Sequence, residues 1–118
     1  MITLKEAQQI VEGALKKARE EDMMPITIAV LDTRGILVSS AMEDNSALIR
    51  PDIAFAKAWG CIGIGFSSRA IRELYGAQPE QTHFFNAARA ISGNKIAPSP
   101  GGIQIKNGDE VIGAVGVS

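Results

Sequence analysis

The apolar positions of the first twenty residues recur with the period of an α-helix. Steps of three and four residues separate the members of one apolar stripe, which are Leu4, Ala7, Ile10, Val11, Ala14 and Ala18. Thr3 and Glu6 have the spacing of a capping box, in which each side chain bonds the backbone N–H of the other residue. We therefore predict a first helix that begins after Thr3 and ends near Glu21, before Pro25.

Two β-rich segments follow this helix and are separated by turn residues. Residues 26–32 and 36–42 are rich in β-branched and apolar side chains, and Thr33-Arg34-Gly35 lies between them. This pattern predicts a first hairpin. Asp32 ends its first strand, where a carboxylate commonly bonds the backbone of the next residues; we favour that interpretation over a catalytic role.

The last third of the chain, residues 101–117, has the pattern of a second hairpin. Asn107-Gly108 suits a two-residue type I′ turn, because both central residues of that turn need positive φ. Such a turn would pair Lys106 with Asp109 and Ile103 with Ile112. The strand after the turn is apolar on both faces, with Ile112 and Ala114 on one of them, so we predict an interior strand.

Three helical segments lie between the hairpins. Pro51 is suited to the first turn of a second long helix that continues to Ile62. Ser67-Ser68 can cap a short helix from Arg69 to Tyr75, and Pro79 can open another that ends at Ile91. The predicted fold is α+β: one domain, residues 1–118, with an antiparallel sheet of at least four strands from two hairpins and helices packed against it, a profilin-like layered architecture.

Composition limits the partners and the compartment. The 118 residues are 46% apolar, enough for one buried core, and the net charge of −1 comes from interspersed charges of both signs. Because there is no basic stripe, we expect neither nucleic acid nor membrane as a partner. We also expect no signal peptide and a cytoplasmic location, with which the lone cysteine, Cys61, agrees. Cys61 is better explained as a small core residue than as a nucleophile.

Four residues are candidates for ligand binding. Lys57 lies on the apolar stripe of the second helix, either with its stem buried and its ammonium at the rim, or as a cation at a ligand pocket. His83, the only histidine, stands beside two phenylalanines and is either a ligand of a bound metal or an amphipathic side chain at the helix surface or a subunit contact. Gly101 and Gly102 either expose backbone N–H groups to an anionic ligand or permit a bend at the strand edge.

At these residues the chain resembles a known family. The segments T-L-x-x-A-x-x-I, I-x-I-A-V-L-D-x-x-G-x-L-V and D-I-A-x-x-K-A, together with the terminal hairpin at 98–118, are similar to the GlcG/HbpS-like proteins, often called haem-degrading, which include the C-terminal domain of PduO. The resemblance implies the same α+β fold, a homo-oligomer and haem as a cofactor. It also implies a ligand role for Lys57. Relatives usually continue with a Gly-rich turn and a final helix, so we expect another subunit to cover part of the sheet.

Two functions of different class follow. The first is a small-ligand-binding protein, for which the resemblance suggests haem or a related tetrapyrrole, with His83 as the metal ligand. The second is an enzyme or accessory protein in small organic acid (glycolate-type) or diol metabolism. The sequence shows no pairing of nucleophile and base, no metal-ligand spacing and no cofactor loop, so ligand binding is favoured over catalysis.

Overall fold

A computed structural model describes residues 1–118, and its helices and strands follow the predicted order. The α-helices are α1 (Leu4–Glu20), α2 (Arg50–Gly63), α3 (Ser68–Ile71) and α4 (Thr82–Ile91). The strands are β1 (Thr27–Asp32), β2 (Leu37–Met42), β3 (Gly102–Asn107) and β4 (Glu110–Val117).

The four strands form one antiparallel sheet in the order β2-β1-β4-β3. Helix α1 packs on one face of this sheet, over β1 and β2, and α2 crosses the other face over β1, β4 and β3. The predicted α+β class is confirmed, and so is the interior position of β4. Because β1 is covered on both faces, all six of its residues are buried.

Local sequence signals fix α1 and the first hairpin. Thr3 Oγ1 accepts the N–H of Glu6, and the Glu6 carboxylate accepts the N–H of Thr3, which confirms the capping box. Asp32 accepts the backbone N–H of Arg34 at 2.8 Å and that of Ile36 at 3.3 Å. Its carboxylate also pairs with the Arg34 guanidinium, and that hydrogen bonding holds the pKa of Asp32 below its usual value. Asp32 is therefore a turn residue, as favoured above.

Glycines in β4 allow α2 to lie directly on the sheet. A Cβ on Gly116 would overlap the carbonyl oxygen of Ala54 and come within 2.9 Å of the Ala58 nitrogen. On β3, a Cβ on Gly102 would likewise overlap the carbonyl oxygen of Lys57. The backbones of helix and sheet thus touch, and this contact positions the middle of α2 against the ends of β3 and β4.

The predicted register of the second hairpin is wrong, because its two-residue turn lies one residue later in the chain than predicted. The two-residue loop is Gly108-Asp109, and only Gly108 has positive φ (+64°), the pattern of a type II′ turn. A bulge in β4 then leaves Ile112 without a strand partner, so Ile103 pairs with Val115. The bulge also turns Ile112 toward the cluster beneath α1 and away from Ala114, which packs on the α2 side.

Gly108→Val is expected to lower the free energy of unfolding by about 1–2 kcal/mol, because a β-branched residue is strained at positive φ. No atom lies within 4 Å of the Cβ position, so the substitution should change the backbone strain of the turn without changing any packing contact. Urea denaturation of this variant and of Gly108→Asn, which tolerates the left-handed region, measures the effect. Equal stability of both variants and the unaltered protein would contradict the turn geometry.

The segment between α2 and β3 contains more kinds of helix than the two α-helices predicted. Ser67 caps α3 by accepting the N–H of Ala70, but the expected continuation as an α-helix is instead a π-helix, Arg72–Gly76. A 3-10 turn, Pro79–Gln81, then leads into α4. None of these helices has the length and hydropathy that a membrane span requires.

Candidate functional site

The largest concavity of the molecule lies beside α4 and has a volume of about 590 Å³. Eight of its eleven lining residues are apolar, and pockets of this size and character commonly hold small organic ligands. We call it the α4 cleft; it is lined by Trp59, Gly63, Ile64, Tyr75, Phe84, Ala87, Ala88, Ile91, Ser92, Lys95 and Ile96.

Aromatic rings form much of the wall of the α4 cleft. The ring centroids of Tyr75 and Phe84 are 5.1 Å apart, and the rings are tilted by 40°. Trp59, the sole tryptophan, also lines the cleft, and the ammonium of Lys95 lies 5.6 Å from its ring centroid. Tyr75 belongs to the π-helix, a distortion that is frequent at functional sites. The cleft therefore offers flat apolar walls with one cation at its exposed rim.

The apolar surface of the cleft reaches solvent. Phe84 is 51% exposed and Ile91 is 87% exposed, whereas the neighbouring Phe85 is buried in the core with Ile71 and Ile96. Two adjacent phenylalanines on one helix cannot both face the core, because successive residues point about 100° apart. The side that Phe84 occupies is thus an apolar face that the chain covers only in part, through the ring of Tyr75.

His83 is exposed on α4 and does not itself line the α4 cleft. It lies one helical turn before Ala87, a lining residue, so the two side chains project from neighbouring positions on the same face. The chain has no group of three or more His, Cys, Asp or Glu residues that could hold a metal ion. A single histidine suits a metal that brings its other ligands with it, as in a metalloporphyrin.

The other three candidate residues meet where the middle of α2 contacts the start of β3. Lys57 is only 7% exposed, and its Nζ donates to the carbonyl oxygen of Val117 at 3.0 Å. The position of a Cβ on Gly101 is 3.0 Å from Nζ. The N–H of Gly102 donates to the buried Ser68 Oγ at 2.7 Å, whereas the N–H of Gly101 has no acceptor in the chain. The roles predicted for these residues in ligand binding stay predictions.

Lys57 and the α4 cleft are separate. Neither Lys57 nor the two glycines line the cleft, whose only cation is Lys95. Burial lowers the pKa of Lys57, and the positive charge of Arg50 lowers it further. The structure therefore groups Lys57 with Gly101 and Gly102, in a region distinct from the α4 cleft, and it places His83 on α4 one helical turn from the lining residue Ala87.

Cys61 is a residue of α2 and is buried in the core with Leu31, Ala58 and Ala114. Its thiol donates to the carbonyl oxygen of Lys57 at 3.2 Å, and burial raises its pKa to about 11. A thiol with so high a pKa carries almost no thiolate at neutral pH. Its complete burial confirms the predicted core position of Cys61.

Comparison with known proteins decides the family. Residues 2–118 match the protein-family model described as haem degrading protein HbpS-like. This chain belongs to the HbpS-like family. No curated protein sequence matches it.

Solved structures share the HbpS-like fold. Klebsiella pneumoniae protein ORFY is 29% identical, with a TM-score of 0.87 over 99% of this chain and 77% of that one. A PduOC:heme complex gives 17% identity and a TM-score of 0.85 over 99% and 81%. Streptomyces reticuli HbpS, solved as a double mutant, gives 16% identity and 0.78 over 99% and 73%. The latter two likenesses establish the fold alone.

Sequence reasoning missed most residues of the α4 cleft in this HbpS-like protein. It noted the two phenylalanines beside His83, but not Trp59, Tyr75 or Lys95, which come from three separate segments. One feature of the sequence could have indicated the cleft: α4 has more large apolar residues than a single core-facing stripe requires.

Proposed function

We propose that this protein binds a small, planar and largely apolar ligand in the α4 cleft, and that the ligand is haem or a related tetrapyrrole. The observation that carries the proposal is an aromatic-walled cleft of about 590 Å³ one helical turn from the only histidine. Membership of the HbpS-like family and the fold shared with a protein solved as a heme complex support the choice of haem.

Each wall has a role in this proposal. Trp59 and the pair Tyr75–Phe84 would contact the faces and edges of the macrocycle through stacking and apolar burial. Lys95 at the rim would pair with a propionate, a contact worth less than about 1 kcal/mol because it is exposed to solvent. His83 would bind the iron through an imidazole nitrogen. The bound iron would supply whatever redox chemistry the complex has.

Titration with haemin tests the proposal through two signals. Binding by His83 should shift the Soret absorption band, and a macrocycle beside Trp59 should quench the only tryptophan fluorescence of the chain. Metal-free protoporphyrin IX is the matched control, because it can enter the cleft and quench Trp59 but cannot bind an axial ligand. If haemin causes neither signal, the proposal fails and the metabolic alternative, an enzyme or accessory protein for small organic acids or diols, becomes the better account.

We also predict self-association into a homo-oligomer. Apolar side chains are exposed along the edge strand β2 and the segment after it, among them Leu37, Met42, Leu48 and Ile49. An unpaired strand edge with apolar neighbours is a surface that folded proteins normally cover. Sedimentation velocity should give a mass that is a multiple of 12.5 kDa. A single 12.5 kDa species at every concentration would contradict this prediction.

A further inference from the structure

The indole of Trp59 is held between two glycines. A Cβ on Gly63 would lie 2.6 Å from Cζ3 of Trp59 and 3.1 Å from its Cε3 and Cη2 atoms. A Cβ on Gly35, in the turn of the first hairpin, would lie 3.0 Å from Nε1 and 3.2 Å from Cδ1 of the same ring system. The six-membered ring therefore packs on the backbone of α2 and the five-membered ring on the turn, so both ends of the indole are in contact with the chain.

The backbone conformation of Gly63 does not require glycine. Gly63 is the last residue of α2 and lacks a positive φ, whereas the positive φ beyond the helix end is at Gly65 (+97°). Glycine lowers helix stability relative to alanine, so a glycine at an ordinary helical position needs another reason. Here the reason is space, because any side chain at residue 63 would overlap the six-membered ring of Trp59.

The position of this ring shapes the α4 cleft. Trp59 and Gly63 both line the cleft and lie one helical turn apart on α2. A methyl group at residue 63 would force the indole out of its position, and the contact with Gly35 limits its movement toward the first hairpin. The wall that Trp59 forms would then move, and with it the ring that the Lys95 ammonium contacts at the rim.

We propose that Gly63 is a positioning residue of the α4 cleft, which acts by leaving the space in which the indole of Trp59 lies. This inference rests on the proposed function, the binding of a planar ligand in the cleft. A macrocycle is broad enough to contact Trp59 and the pair Tyr75–Phe84 at the same time, so its binding depends on the position of each wall. Gly63 thus adapts the cleft to a broad ligand without contacting the ligand through a side chain.

A double-mutant cycle on residues 59 and 63 tests the proposal, with metal-free protoporphyrin IX as the probe and its own fluorescence as the signal. Gly63→Ala should bind the porphyrin about tenfold more weakly than the unaltered protein, because a displaced wall loses contact with the ligand. In the presence of Trp59→Phe, whose smaller ring leaves room for a Cβ at residue 63, the same change should not affect binding. A general loss of stability would instead weaken binding equally with and without Trp59→Phe.

Gly63→Ala should still fold, since the overlapped atoms belong to a side chain that can rotate, and its Trp59 emission should shift in wavelength. If it does not fold, the comparison of Trp59→Phe with and without Gly63→Ala still measures the effect of the methyl group. Gly13→Ala is the matched control, because Gly13 is a helical glycine outside the cleft with no atom within 4 Å of its Cβ position. It should bind the porphyrin like the unaltered protein.

The outcomes separate the positioning role from the proposed function. Equal binding by Gly63→Ala and the unaltered protein would overturn the role of Gly63 and leave ligand binding in the cleft intact. An equal loss of binding with and without Trp59→Phe would show that the methyl group acts independently of Trp59, which would also overturn the role. If the unaltered protein does not bind the porphyrin, the proposed function fails, and the positioning role fails with it.

Discussion

Gly116→Ala is expected to destabilise the fold more than the same change at any other glycine, by about 3 kcal/mol or more. The added Cβ would overlap the carbonyl oxygen of Ala54, and this neighbour is helix backbone that cannot rotate away. Relief requires α2 to move off β4, which would open the core on that side of the sheet. Since small domains are stable by only about 5–15 kcal/mol, Gly116→Val is expected to leave no stably folded protein.

Urea denaturation of Gly116→Ala measures this effect, with Gly13→Ala as its control. Gly13 lies within α1, with no atom within 4 Å of its Cβ position, so alanine there should stabilise the protein by about 0.5–1 kcal/mol through helix propensity. A Gly116→Ala variant as stable as the unaltered protein would show that α2 does not touch β4 as described.

His83→Ala is expected to abolish the Soret shift that haemin causes in the unaltered protein. No other histidine is available, and Cys61, the other strong candidate ligand, is buried and protonated. Because His83 is exposed, its loss should leave the melting temperature unchanged, which separates a ligand role from a structural one. Quenching of Trp59 by metal-free protoporphyrin IX should survive in this variant, since the walls of the cleft remain.

Lys95→Met should weaken haemin binding only slightly, because the ammonium is exposed and its contact with a propionate is screened by water. Comparing His83→Ala with Lys95→Met thus separates the effect of the bond from His83 to the iron from that of the Lys95 contact with a propionate. A full Soret shift in His83→Ala would contradict the role of His83 in the proposed site.

The helices and strands could be predicted from the sequence wherever one local signal decided the outcome. The capping box at Thr3 and Glu6 fixes the start of α1, and the strand signals on both sides of residues 33–35 fix the first hairpin. The second hairpin has two competing signals. Asn107-Gly108 favours a type I′ turn, but a turn one residue later lets a bulge place Ile112, partly buried, against the apolar cluster beneath α1. A tertiary contact therefore overrode the local preference.

The grouping of the site residues depends on contacts that sequence spacing does not encode. Lys57 was a candidate because a charged residue is unusual on an apolar stripe, but its acceptor, Val117, is sixty positions away and is set by the sheet register. The α4 cleft is harder still to foresee. The π-helix that holds Tyr75 is only five residues long, too short for its i→i+5 hydrogen bonding to show in the apolar pattern, so residues 72–76 read as a simple continuation of α3.

Mapping of haemin onto the chain by amide NMR tests the location of the proposed site most directly. The paramagnetic iron broadens nearby resonances, so broadening should be confined to α4, the π-helix and the surroundings of Trp59 and Lys95. The amides of Gly101, Gly102 and β2 should stay sharp. Broadening centred on Lys57 and Gly101, or spread evenly over the whole surface, would contradict haem binding in the α4 cleft.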